Sequence, residues 1–127
     1  MSAIKTSYGI EIKMTDKMDL EEFKKQSVEV EKIMSEYKSK NIKFSLLLDL
    51  TEVKLQKREV MAEMMASMKS SKEIGIQRVS IIFSNPIAKL QISQKAKEAG
   101  TDNIEKYFSI EDTDYKNKAL DWVIKGV

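Results

Sequence analysis

Phe44-Ser45-Leu46-Leu47-Leu48-Asp49-Leu50-Thr51 is the stretch that decides the fold. Its apolar residues are consecutive rather than alternating, the pattern of a central strand covered on both faces, so helices are expected on both sides of its sheet. A few residues later the spacing turns helical. Met61, Met64, Met65 and Met68 recur at i, i+3, i+4 and i+7 and share one face with Val60. A covered strand leading into an amphipathic helix is the repeating unit of an α/β fold.

The same alternation of periods extends outward in both directions. Tyr8, Ile10, Ile12 and Met14 alternate with Gly9, Glu11 and Lys13, which predicts a strand with one buried face. Asp19 suits an N-cap, with Glu22 three residues on and Met18 and Phe23 spaced for a hydrophobic staple. Leu20, Phe23, Val30, Ile33, Met34 and Tyr37 then line a long helix ending near Ser39. The methionine helix is expected from about Gln56 to Glu73, with Gly75-Ile76 as a left-handed cap and its apolar follower. Arg78 to Phe83 reads as a second covered strand. Asn85-Pro86 opens a helix that Gly100 closes. Ile104 to Ile110 reads as a strand at a sheet edge, and Asp112 or Thr113 as the cap of a last helix carrying Tyr115, Ala119, Leu120, Trp122 and Val123. The expected order is β-α-β-α-β-α-β-α. It gives one α/β domain over residues 1–127, with a sheet of four strands or slightly more, mostly parallel or mixed, and about four helices.

Composition excludes several chemistries. The chain has no Cys and no His, which removes disulfides, thiol nucleophiles, Ser-His-Asp catalysis and ordinary zinc sites. No catalytic, metal-binding or cofactor-binding constellation stands out, and a non-enzymatic role is expected. The net charge of +2 comes from 22 basic and 20 acidic residues interleaved along the chain. Only Arg58 and Arg78 offer a bidentate fork, and the lysine-rich segments Lys24-Lys25 and Lys38 to Lys43 read as solvated helix surface, so no nucleic-acid partner is expected. The N-terminus lacks a continuous apolar core and the longest apolar runs are strand-length. A cytoplasmic protein without a membrane span is therefore expected.

Leu47-Leu48-Asp49-Leu50-Thr51-Glu52-Val53 with its following helix, then Val79-Ser80-Ile81-Ile82-Phe83 and Asn85-Pro86-Ile87-Ala88-Lys89-Leu90, resembles the STAS domain of anti-sigma-factor antagonists and sulfate transporters. The ending, Lys106-Tyr107-Phe108-Ser109-Ile110-Glu111-Asp112 through Ala119-Leu120-Asp121-Trp122-Val123, is similar to STAS-like bacterial proteins grouped with CRAL-TRIO lipid-transfer folds. The likeness runs from Tyr8 onward and is carried by hydrophobic pattern and turn chemistry. In the antagonist branch, a partner kinase phosphorylates a hydroxyl of an Asp-Ser-Ser/Thr-Gly motif at the start of the helix after this strand, where free N–H groups and the helix dipole favour a phosphate. This chain carries Lys57-Arg58-Glu59-Val60 there, with neither hydroxyl nor glycine. The resemblance thus implies a regulatory scaffold without its switch. Glu59 brings one negative charge where a phosphate would bring roughly two.

The leading expectation is an interaction module that binds a protein partner through Thr51, Lys57, Arg58 and Glu59, with self-association as a homodimer, for which the methionine stripe offers a surface, as the other form of partnering. The alternative is a carrier or sensor of a small apolar or anionic ligand between the methionine helix and the sheet, or at the Ser84-Asn85-Pro86 turn. Its candidate contacts are Asp49, Met61, Met64, Met65, Met68, Ser84 and Asn85. Each has a plain structural role as well. Asp49 suits an acceptor of loop or helix N–H groups, and Thr51 a turn cap. Ser84-Asn85 suits a helix start, and the methionines suit a core whose irregular gaps an unbranched side chain fills. An enzyme would have to draw on groups such as Asp49, Lys57 and Tyr107.

Overall fold

The computed structural model describes Met1–Val127. The elements run β1 (Ser2–Lys5), β2 (Gly9–Thr15), α1 (Leu20–Ser39), β3 (Ser45–Glu52), α2 (Arg58–Ile74), β4 (Val79–Phe83), α3 (Pro86–Ala99), a 3-10 turn (Asp102–Ile104), β5 (Glu105–Ser109) and α4 (Tyr115–Lys125). The five strands form one mixed sheet in the order β1-β2-β3-β4-β5, antiparallel only between β1 and β2. This is the expected α/β class, with one strand more than the hydrophobic pattern predicts. Ser2–Lys5 is too short for its period to register, and it forms by pairing Ala3 with Ile12 and Lys5 with Ile10.

Each strand from β2 to β5 lies beside the one before it in the chain, so right-handed crossovers put α1, α2 and α3 on one face of the sheet. The main core lies there, built from Ile10, Ile12, Met14, Leu48, Leu50, Val79, Ile81 and Phe83 of the sheet against Phe23, Val30, Met34, Val60, Met61, Met64, Ala88 and Ile92 of the helices. After the edge strand β5 the chain has one uncovered face left, and α4 folds back over it against Leu47 and Ile82. Three buried or half-buried bonds anchor α4: the Ser80 hydroxyl donates to Ala119 O (2.6 Å), and the Trp122 indole N–H reaches Val79 O (3.1 Å) and Ile104 O (3.3 Å). The double covering explains why the β3 run is apolar on consecutive residues. No helix is long and apolar enough to cross a membrane.

Local signals act largely as expected. Asp19 caps α1 by accepting from Glu22 N (3.1 Å), Met18 and Phe23 are both buried, and Asn85 caps α3 by accepting from Ile87 N (2.8 Å). Gly75 ends α2 at φ +113°, and Gly100 ends α3 at φ +77°. The start of α4 differs. Its cap position is Asp114, in the left-handed region at φ +60° and without a side-chain cap bond. Asp112 instead turns back to accept from Ser109 N (3.2 Å), which closes the preceding turn and shifts the helix start beyond Thr113.

Candidate functional site

An apolar cavity of about 90 Å³ lies under the C-terminal half of α2. The sheet supplies its floor through Ile12, Met14, Leu46, Leu48, Val79 and Ile81, α1 one wall through Phe23, Val30 and Met34, and α2 the roof through Met64 and Met68. The void has a local cause. On the α2 face that continues the methionine stripe, Ser67 and Ser71 stand where a close-packed helix would carry branched apolar side chains, and both line the cavity. The Ser71 hydroxyl donates back to Ser67 O at 2.8 Å, so it is satisfied within its own helix and fills no space beneath it. Unbranched methionines line the gap without closing it.

At the β5 end this apolar lining is broken by Thr101 and Glu105. Glu105 is the first residue of β5 and pairs with Val79, so its side chain points to the face covered by α1, α2 and α3. It is buried, at 9% exposure. One carboxylate oxygen accepts from the Thr101 hydroxyl at 2.5 Å and the other from the Tyr107 hydroxyl at 3.1 Å. None of the ion pairs includes Glu105. Burial in apolar surroundings pushes its carboxyl up from the ordinary range, the two hydroxyl bonds hold it down in part, and nearby Asp102 adds to the rise. The Tyr107 hydroxyl is pushed up as well, first by its own burial and then by the charge of Glu105. It stays protonated as a donor to Glu105.

The sequence-derived candidates fall in three separate places. Met64 and Met68 line the cavity, Met61 is buried in the core beside it, and Met65 is half-buried outside it. Asp49 points to the opposite face of the sheet, since it pairs with Ile82, which packs under α4. It accepts from Thr51 N at 2.9 Å, a backbone N–H of its own strand, where the sequence suggests one from the loop or the following helix. Thr51 lies within β3 rather than in the following turn; its carbonyl accepts from the Ser84 hydroxyl at 2.8 Å. Ser84 and Asn85 thus close the end of β4 and cap α3. Lys57, Arg58 and Glu59 are exposed at the start of α2, where Lys57 is the cap residue without a side-chain cap bond. Asp49 and Tyr107 lie on opposite faces of the sheet, since Tyr107 pairs with Ile81.

Thr51, Lys57 to Glu59, Ser84 and Asn85 cluster at the carboxyl ends of the strands, where open α/β sheets usually hold ligands. The cavity lies toward the other end: in β3, β4 and β5 it is lined from the strand starts, Leu46, Val79 and Glu105. Sequence reasoning passed over Thr101 and Glu105. The available signal was the phase of Glu105 with Tyr107 two residues on, which puts a carboxylate and a phenol on one strand face. No group of three or more acidic side chains is placed to hold a metal ion. Comparisons with protein-family models, curated proteins and solved structures return no match.

Proposed function

We propose that this chain is a non-enzymatic STAS-like binding module whose ligand is a small, mainly apolar molecule held between α2 and the sheet. The observation that carries the reading is the cavity under Met64 and Met68, apolar along most of its lining, with the hydrogen-bonded pair Thr101 and Glu105 at the β5 end. A pocket of largely apolar wall with a few converging polar groups is the usual form of a small-molecule site. Methionine lining suits a ligand whose shape the wall must follow. Hydroxyl and carboxyl groups fix one end of such a ligand.

Titration with n-pentanol, followed through methyl signals of labelled methionines, tests this. The Met1, Met14, Met34, Met64 and Met68 signals are expected to move together, while those of Met18, Met61 and Met65, which do not line the cavity, stay in place. In Ser71→Leu, which fills the void from the roof, the shifts should vanish with the fold retained. Shifts spread evenly over all methionines, or undiminished in Ser71→Leu, would overturn the reading.

A second reading, the partner-binding module, is favoured by a different observation. Leu55, Ile87 and Leu90 are 45%, 57% and 57% exposed. The loop bearing Leu55 is tied to α3 by paired amide bonds between Gln56 and Gln91 (3.1 and 3.3 Å), so these apolar side chains stand close to Lys57, Arg58 and Glu59. Large exposed apolar groups beside charged ones are a common make-up for a protein-binding surface.

A further inference from the structure

We infer that the cavity selects a short-chain alkylammonium ion, whose cationic head pairs with Glu105 while its hydrocarbon chain lies under Met64 and Met68. The inference rests on the ligand-binding reading above and adds the charge and size of the ligand. Its starting point is an imbalance. A buried carboxyl is ordinarily matched by a cation or held by several N–H donors. Glu105 has two hydroxyl donors and no cation, although it lines a cavity with room beside it.

The charged groups around it leave that place open. On α2, Lys72 is exposed and its ammonium donates to Gly100 O at 2.7 Å. On α3, the Lys89 ammonium stands over the rings of Phe83 (5.3 Å) and Tyr107 (5.8 Å). Asp102 of the 3-10 turn and Glu31 of α1, which lines the cavity, are both acidic and add to the negative potential. An incoming anion would meet the carboxylates of Glu31 and Glu105, and the ammonium of Met1, which also lines the cavity, is already paired with Glu22 at 3.7 Å; an ammonium would meet a carboxylate already oriented by Thr101 and Tyr107. Two donors from hydroxyl groups leave lone pairs on both Glu105 oxygens for N–H donors. The cavity is small, about 90 Å³, so the hydrocarbon part is short. When the ion binds to protein whose Glu105 is protonated, the carboxyl proton leaves to solvent and a carboxylate–ammonium pair remains.

The experiment compares n-pentylamine, n-pentanol and pentanoate at neutral pH, read as dissociation constants from the Met64 and Met68 methyl shifts. The amine should bind roughly tenfold or more tightly than the alcohol, and pentanoate weakest. Glu105→Gln, which keeps an oxygen and an amide in place of the carboxylate, should bring the amine to the level of the alcohol. Thr101→Val removes one hydroxyl but leaves the charge, and should keep the preference. Lowering the pH to protonate Glu105 should weaken the amine and leave the alcohol unchanged, also in Glu31→Gln, which removes the other cavity carboxylate. Equal binding of amine and alcohol, tighter binding of pentanoate, or an amine preference that survives Glu105→Gln would overturn the ammonium assignment while leaving the cavity reading intact. Failure of all three probes to shift the lining methionines would overturn both.

Discussion

Glu105 shows how one side chain takes its character from its neighbours. In an exposed strand it would be an ordinary carboxylate; here, burial raises its pKa, so the folded state holds its proton more tightly than the unfolded chain does. For a carboxyl raised on folding, the stabilising contribution is complete below the ordinary Glu range and is lost as pH climbs through the raised value. Glu105→Gln abolishes that loss, because its amide stays neutral while still bonding to the Thr101 and Tyr107 hydroxyls. Thermal melts of both proteins between pH 4 and 8 should show the variant gaining on the parent as pH rises, by on the order of 1 kcal/mol at neutrality. A constant gap across that range would remove the buried-carboxyl account. The residue is in plain view in the sequence, but an Ile104-Glu105-Lys106-Tyr107 run gives no sign of which alternate face is covered. Only the pairing of Glu105 with Val79 decides that.

At the scale of elements, most starts and stops are local matters, and the sequence carries them. Asp19, Asn85, Gly75 and Gly100 work through bonds to residues within a turn or through φ alone, so nearby residues suffice to read them. Gly9 is different. It opens β2 at φ +146°, and a Cβ there would collide with the Ser45 carbonyl oxygen and come within 2.8 Å of Ser45 N on β3. Its own carbonyl accepts from the Tyr37 hydroxyl at 3.0 Å, while that ring stacks on Phe44 at 5.5 Å. The close approach of β2, β3 and α1 at this point requires the absence of a side chain. At Gly75, with φ +113°, an added Cβ would meet nothing within 4 Å. Gly9→Ala should therefore cost about 3 kcal/mol or more in urea unfolding, and Gly75→Ala about 1 kcal/mol, from backbone strain alone. Equal costs would mean that strain at φ, and not the contact with Ser45, governs both positions. The late start of α4 belongs to the same scale: Asp112 had two uses open to it, and the β5 turn took it.

For the whole molecule, the arrangement of consecutive parallel strands separates two ends of the sheet with different equipment. The carboxyl ends carry Lys57, Arg58 and Glu59 with the exposed Leu55, Ile87 and Leu90; the cavity and Glu105 lie toward the amino ends. The two readings of function are therefore spatially independent, and one protein can be tested for both. Affinity capture of a native-lysate partner, repeated with Lys57, Arg58 and Glu59 all changed to Ala, should lose the partner if the carboxyl-end surface binds it. A partner retained at full yield by the triple variant would place that interaction elsewhere, and pentanol binding should be the same in both proteins. By itself the sequence determined the α/β class, the order of its main elements, the two-sided covering of β3 and most helix ends, because hydrophobic period and capping are properties of neighbouring residues. The tertiary structure alone decided the fifth strand, the separation of Asp49 from Met64 and Met68, and the meeting of Ser67, Ser71, Thr101 and Glu105 around one void. Those depend on which distant residues share a face, and strand phase and helix packing settle that only when the chain is folded.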